Sequence, residues 1–107
     1  MTFTLQTLTD IIEAKAKEDP SRSYTAQLMQ SGTERCAKKL GEEAIETVIA
    51  AIQGDKKALT AEAADLVYHL LVLLRQADID LSDVLQELER RTKQSGLTEK
   101  ASRPLKS

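Results

Sequence analysis

Residues 33–77 read TERCAKKLGEEAIETVIAAIQGDKKALTAEAADLVYHLLVLLRQA, two long helical patterns broken once at Gly54-Asp55. In the first, Leu40, Ala44, Val48 and Ile52, with Ile45 and Ile49, recur at helical spacing and predict a helix over Thr33–Gln53 with a broad apolar face. Gly54 stops it, because glycine tolerates the left-handed conformation that ends helices, and Asp55 is a good N-cap for the next. That next helix is expected over Lys56–Ala77, and from Ala63 to Leu74 it is apolar nearly all round, the pattern of a helix buried on most sides. So tight a connection makes the two helices antiparallel neighbours.

Working outward, Leu5, Leu8, Ile11 and Ile12 predict a first helix over Leu5–Lys17 with Thr4 as its cap. Glu18–Ser23 is a polar break containing Pro20, and Thr25–Gln30 reads as a short helical turn ending at Ser31-Gly32. After the connection Asp78–Leu81, Ser82 is expected to cap a last helix reaching Gln94, with Leu81, Val84, Leu85 and Leu88 facing inward. A polar tail from residue 95 to 107 carries Lys100, Arg103 and Lys106. With no convincing strand, the fold class is all-α: one domain, a bundle of four to five helices. The Lys56–Ala77 helix offers more apolar surface than its modest neighbours cover. A homodimer with that helix central to the interface is therefore expected.

Composition narrows the function. Among 107 residues the aromatic supply is Phe3, Tyr24 and Tyr68, so the core must be built from Leu, Ile, Val and Ala. Fifteen basic against seventeen acidic residues argue against a dedicated nucleic-acid binder. Cys36 is the only cysteine, which excludes an intramolecular disulfide and fits a reducing compartment. The longest apolar run, Leu66–Leu74, is interrupted by His69 and falls far short of the roughly 20 residues that cross a bilayer. The N-terminus lacks a basic segment followed by a long apolar one, so a soluble, cytoplasmic protein is expected, with no membrane and no nucleic-acid partner.

Two acidic clusters carry the chemistry: Glu42-Glu43-Ala44-Ile45-Glu46 and Glu62-Ala63-Ala64-Asp65. Glu43 with Glu46, and Glu62 with Asp65, lie three positions apart, which on a helix puts each pair on one face, roughly 5–6 Å apart at Cβ. The helical wheel groups Lys39, Glu42, Glu43 and Glu46 in one sector, opposite the apolar face of their helix. A solvated polar face would explain that cluster. Yet Glu42 and Glu46 are like charges at i,i+4, and no Lys or Arg follows three or four places downstream. Asp65 lies in the most apolar helix, where a carboxylate needs an answering cation. His69 is one candidate, as a hydrogen-bonded partner, and a metal is the other. Antiparallel packing can bring Glu43 and Glu46 opposite Glu62 and Asp65, and so many hard oxygen donors select Mg²⁺ or Mn²⁺ over Zn²⁺.

Glu43-x-x-Glu46 followed by Glu62-x-x-Asp65 resembles the acidic signature of the MazG-like all-α nucleoside triphosphate pyrophosphohydrolases. Longer stretches are similar to its histidine-biosynthesis branch, the phosphoribosyl-ATP pyrophosphatase family: Ser23-Tyr24-Thr25-Ala26, Lys39-x-Gly41-Glu42-Glu43-Ala44-x-Glu46, Glu62-Ala63-Ala64-Asp65-Leu66-x-Tyr68-His69, and Ser95-Gly96 with Glu99-Lys100-Ala101-Ser102-Arg103. The resemblance runs from Leu5 to Arg103 and implies a Mg²⁺-dependent, dimeric helical enzyme. It would cut phosphoribosyl-ATP to phosphoribosyl-AMP and pyrophosphate, in the stand-alone form without a fused cyclohydrolase. Glu43, Glu46, Glu62 and Asp65 are then the expected metal ligands. Glu42, or whichever carboxylate is left off the metal, takes a proton, with Glu42 and Glu46 as the catalytic candidates. Lys39 faces a phosphate or pairs with Glu43, Lys100 and Arg103 clamp phosphate or belong to a polar tail, and Tyr24 stacks on a base or fills a gap. Two other readings use the same residues: a house-cleaning nucleoside triphosphate pyrophosphohydrolase, and a non-catalytic helical interaction module.

Overall fold

The computed structural model describes residues 2–93, 100, 101, 103 and 104. Its elements are α1 (Leu5–Ala16), α2 (Tyr24–Ser31), α3 (Thr33–Gln53), α4 (Lys56–Gln76) and α5 (Leu81–Thr92), with no strand among the described residues. The all-α expectation is met. The expected end of the last helix at Gln94, and Ser95-Gly96, Glu99 and Ser102, lie outside the described residues.

The α3–α4 hairpin is the centre of the molecule. Gly54 takes the left-handed conformation at φ 73°, and its N–H bonds to the carbonyl of Ala51 at 3.1 Å, which ends α3. One residue later the Asp55 carboxylate accepts from Ala58 N at 3.0 Å and starts α4. Near the turn the Thr47 hydroxyl reaches the Glu62 carbonyl, while far from it the Thr33 hydroxyl meets Gln76. Numbers that rise on one helix and fall on the other are the mark of antiparallel packing, as the short turn required.

The other helices are fastened by their caps. Thr4 and Thr7 form a reciprocal capping box at the head of α1. Ser23 accepts from Ala26 N at 3.1 Å and so starts α2, and its hydroxyl donates to the Lys15 carbonyl at 2.9 Å, tying α2 to the end of α1. The α2 segment, expected as a single turn, is a helix of eight residues. Its buried face explains why: Thr25, Ala26 and Leu28 pack inward, and the Thr25 hydroxyl bonds to the hydroxyl of Tyr68 on α4. Ile12, Leu28, Cys36, Leu71, Val72 and Leu81 form the core, drawn from all five helices. The Cys36 thiol donates to the Leu28 carbonyl at 3.2 Å, and burial pushes its pKa up. At the start of α5 the capping residue is Asp80, which accepts from Ser82 N, and not Ser82 as the sequence suggested.

Two faces are not where amphipathicity put them. The apolar stripe of α3 points to solvent, with Ile45 63%, Val48 55%, Ile49 48% and Ile52 80% exposed, while Glu43 on the opposite side is buried against α4. The polar sector of α3 therefore faces its partner helix and the apolar sector faces out. On α5 only Leu81 enters the core, and Leu85 and Leu88 remain about half exposed. By contrast Leu70 is the sole large apolar side chain of α4 counted as exposed, at 39%. The largest uncovered apolar surface of the single chain lies on α3, with further exposed apolar side chains on α1 (Leu5 and Ile11) and α5, and not chiefly on α4 as expected.

Candidate active site

The α3–α4 register brings the acidic pairs together. One carboxylate oxygen each from Glu43, Glu62 and Asp65 lies within 4.8 Å of the others. Glu43 is 9% exposed, and its Oε2 is buried without a hydrogen-bond partner among the described residues. A buried acceptor of that kind is costly unless a cation or donor answers it. Burial raises the Glu43 pKa, and repulsion from Glu46 and Asp65 raises it further. Glu62 is raised for the same reasons, burial first and then the pressure of Glu46, Glu43 and Asp65. Glu46 is outside the closest triad and exposed, yet it stands beside both Glu43 and Glu62.

One expectation is corrected here. The desolvated carboxylate is Glu43, whereas Asp65 is exposed. Asp65 lies on an apolar helix, but on the side that looks along the α3 acid face. His69 does not pair with the Asp65 carboxylate either. Its Nδ1 lies 2.8 Å from the Asp65 backbone carbonyl, and its Nε2 lies 3.1 Å from the Tyr24 hydroxyl. The ring is 6% exposed and sits edge-on to Tyr24 and Tyr68, with centroid distances of 6.0 and 5.2 Å.

A basic group borders the acids. Lys39 Nζ pairs with Glu42 at 3.3 Å, the i,i+3 partner, and not with Glu43, which was one of its two alternatives. That hydrogen bond, then the nearby Tyr24 and the acids, raise the Lys39 pKa and keep it charged. Arg35, Lys38, Lys39 and Glu42 line a shallow recess of about 140 Å³ on the same helix. Tyr24 is half exposed at the first residue of α2, next to Lys39 and His69. Lys100 and Arg103 are exposed and joined by a backbone hydrogen bond, Arg103 N to Lys100 O at 3.4 Å. Among the described residues the acid cluster is built from α3 and α4 without them.

Sequence reasoning missed three contributors. Thr47 lies one turn from Glu43, with its Oγ1 2.8 Å from the Glu43 carbonyl and 3.2 Å from the Glu62 carbonyl, so its single proton is shared between the two acid-bearing turns, mainly with its own helix. Its signal was its place one residue after Glu46 on the helix that faces α4. Arg35 and Lys38 join Lys39 in one recess, and their helical spacing from it was visible but carried no distinguishing mark.

The donor set fits a hard divalent cation: three carboxylates converge, one with an orphaned buried oxygen, and no cysteine or histidine nitrogen is among them.

Comparison with known proteins agrees with that chemistry. The family model described as phosphoribosyl-ATP pyrophosphohydrolase matches residues 5–92. A phosphoribosyl-ATP pyrophosphatase of Agrobacterium fabrum is 60% identical over 102 residues, 95% of each chain. That of Methylobacterium nodulans is 56% identical over 102 residues, again 95% of each. That of Roseobacter denitrificans is 54% identical over 101 residues, 94% of this chain and 96% of the relative. A match of this extent, on a helical hairpin that gathers acidic side chains from both arms, makes this chain a member of the phosphoribosyl-ATP pyrophosphohydrolase family.

Proposed function

We propose that the chain hydrolyses phosphoribosyl-ATP between its α- and β-phosphates, giving phosphoribosyl-AMP and pyrophosphate in histidine biosynthesis. The observation that carries this reading is the convergence of Glu43, Glu62 and Asp65 from two helices within 4.8 Å, in a chain 60% identical to a phosphoribosyl-ATP pyrophosphatase. Glu43, Glu62 and Asp65 would hold Mg²⁺, with Mn²⁺ as an acceptable substitute, and Glu46 stands beside them. When bound, such an ion neutralises triphosphate charge and acidifies a water.

The chain's own groups divide the remaining work. Lys39, with Arg35 and Lys38 lining the same recess, offers positive charge to phosphate oxygens and holds it at neutral pH. Glu46 lies outside the closest triad but next to it, which favours it as acceptor of the proton from the attacking water. Glu42 is engaged by Lys39, so its part is to orient that ammonium ahead of acting as a base itself. Lys100 and Arg103 keep a role as phosphate ligands in this reading, as exposed cations of the tail.

The exposed stripe of Ile45, Val48, Ile49 and Ile52 supports a homodimer in which α3 meets a second copy. No helix among the described residues is long and apolar enough to cross a membrane, and the cytoplasmic location belongs to the histidine-biosynthesis reading. The direct test is incubation with phosphoribosyl-ATP with and without Mg²⁺, following pyrophosphate and phosphoribosyl-AMP. Equimolar release of both products, abolished by chelation, supports the reading. Absence of release, or release of orthophosphate in its place, overturns it.

A further inference from the structure

His69 is the chain's one histidine, and both of its ring nitrogens have partners of known character. A backbone carbonyl can only accept, so the nitrogen facing the Asp65 carbonyl at 2.8 Å must be the one that carries hydrogen. In the neutral ring that leaves Nε2 as an acceptor, and the group opposite it, at 3.1 Å, is the Tyr24 hydroxyl. A phenol has a single proton. Once it points at Nε2, the Tyr24 oxygen has only lone pairs to offer elsewhere. The ring pair is held firmly on its inner side, because His69 is buried and packed edge-on against Tyr68, whose own hydroxyl is bonded to Thr25. Tyr24 is half exposed and is bonded to His69, whose other nitrogen meets the backbone of Asp65, so its free side lies on the acid-bearing side of the molecule, beside the proposed substrate site.

We propose that His69 is a positioning residue that commits the Tyr24 proton inward, so that Tyr24 meets the substrate as a hydrogen-bond acceptor, matched to a sugar hydroxyl and not to a phosphate. This rests on the nucleotide reading of the site given above. A phosphate oxygen accepts and would need a donor, which the Tyr24–His69 pair withholds, whereas the neighbouring cations supply one. A ribose hydroxyl donates and finds the phenol oxygen open. The arrangement thus separates two duties around one nucleotide: Lys39 and its neighbours for the phosphates, Tyr24 for the sugar.

Two measurements test this, and the first needs no substrate. With one histidine in the chain, the imidazole nitrogens in a ¹⁵N-labelled sample need no assignment. The expected spectrum of the neutral ring shows hydrogen on Nδ1 and a bare, hydrogen-bonded Nε2, and Tyr24→Phe shifts Nε2 toward the value of a free acceptor. Hydrogen on Nε2, or no response to Tyr24→Phe, overturns the proposal whatever the enzyme hydrolyses. The second measurement is steady-state kinetics on phosphoribosyl-ATP for Tyr24→Phe, His69→Gln and the double variant. Tyr24→Phe keeps the ring, so the fold is preserved. It is expected to raise KM by about three- to ten-fold, the worth of one neutral hydrogen bond, with a smaller change in kcat. His69→Gln should show the same split, and the double variant should be no worse than the weaker single one. A fall in kcat at constant KM, or penalties that multiply in the double variant, contradicts positioning through Tyr24. Wild-type enzyme inactive on phosphoribosyl-ATP would refute the substrate reading alone, since the nitrogen spectrum still decides the pairing.

Discussion

The Thr47 hydroxyl on α3 lies 3.2 Å from the Glu62 carbonyl on α4, a cross-helix contact at the turn that holds the acid cluster. A helix dimer held by apolar packing alone can slide. This contact and the Thr33–Gln76 bond at the other end add polar ties to the α3–α4 packing that sets Glu43 opposite Asp65. Thr47→Val removes the hydroxyl while keeping the shape. It is expected to cost about 0.5–1.5 kcal/mol of stability, and to lower turnover more than that loss explains, because the carboxylates lose their alignment. Chemical denaturation and steady-state kinetics on one preparation check both parts. Full activity in a destabilised variant would show that Thr47 serves stability only.

The burial of Glu43 makes metal-free protein sensitive to pH in a stated direction. Its folded pKa lies above the unfolded value of 4.5, and so does that of Glu62. The folded state therefore binds more protons in the range above 4.5 than the unfolded state does. Stability from these groups is greatest below 4.5 and is lost as pH rises through their raised values. Glu87 acts oppositely: Arg90 and Arg91 hold it at about 2, so its contribution is present at neutral pH and is lost only as pH falls below 4.5. Glu87 is exposed to solvent, which screens that pair and keeps its part small. In chelator, the melting temperature is expected to fall between pH 4.5 and neutrality, and added Mg²⁺ should restore it at neutral pH. Thermal scans across pH, with and without the ion, measure this, and a flat profile that ignores Mg²⁺ speaks against it.

Replacing the buried acid should separate stability from function. Glu43→Gln removes the charge with little change of shape, so metal-free protein is expected to melt about 2–5 °C higher at neutral pH. Turnover should drop by on the order of 10² to 10³, as for the loss of one preorganised charged group. Glu46→Gln and Asp65→Asn, both on exposed positions, should show a similar loss of rate with the melting temperature nearly unchanged. Near-normal rates in these variants would remove the acids from the mechanism.

The apolar stripe of α3 predicts association. Ile52→Glu and Ile49→Glu each put a charge on that face, and sedimentation at micromolar concentration should then show monomer where the unmodified chain sediments as a dimer. An unmodified chain that sediments as a monomer contradicts the proposed interface.

These outcomes bear on what could be read without coordinates. The α3–α4 hairpin was legible because Gly54 and Asp55 mark its turn unambiguously, and the acid pairs because i,i+3 spacing fixes a face. The direction of that face was not. Amphipathicity assumes that the apolar side covers the chain's own core, whereas here Glu43 turns inward and Ile45, Val48, Ile49 and Ile52 turn out. A helical wheel cannot tell cover supplied by the same chain from cover supplied by another. The extent of α2 was hidden for a related reason: its inward residues include Thr25, whose burial depends on the distant Tyr68 hydroxyl. The i,i+4 spacing suggests a side-chain pair of His69 with Asp65, whereas the ring meets only the Asp65 backbone carbonyl and leaves its other nitrogen for a tyrosine far away in sequence.

The central claim is that acids from two adjoining helices jointly hold one divalent ion. Calorimetric titration of Mg²⁺, or of Mn²⁺ as a probe, into the unmodified chain and into Glu43→Gln and Asp65→Asn tests it without any substrate. The account predicts saturable binding to the unmodified chain that is weakened at least ten-fold by either substitution, one on α3 and one on α4. Binding that persists unchanged in either variant, or no binding to the unmodified chain at all, would contradict it.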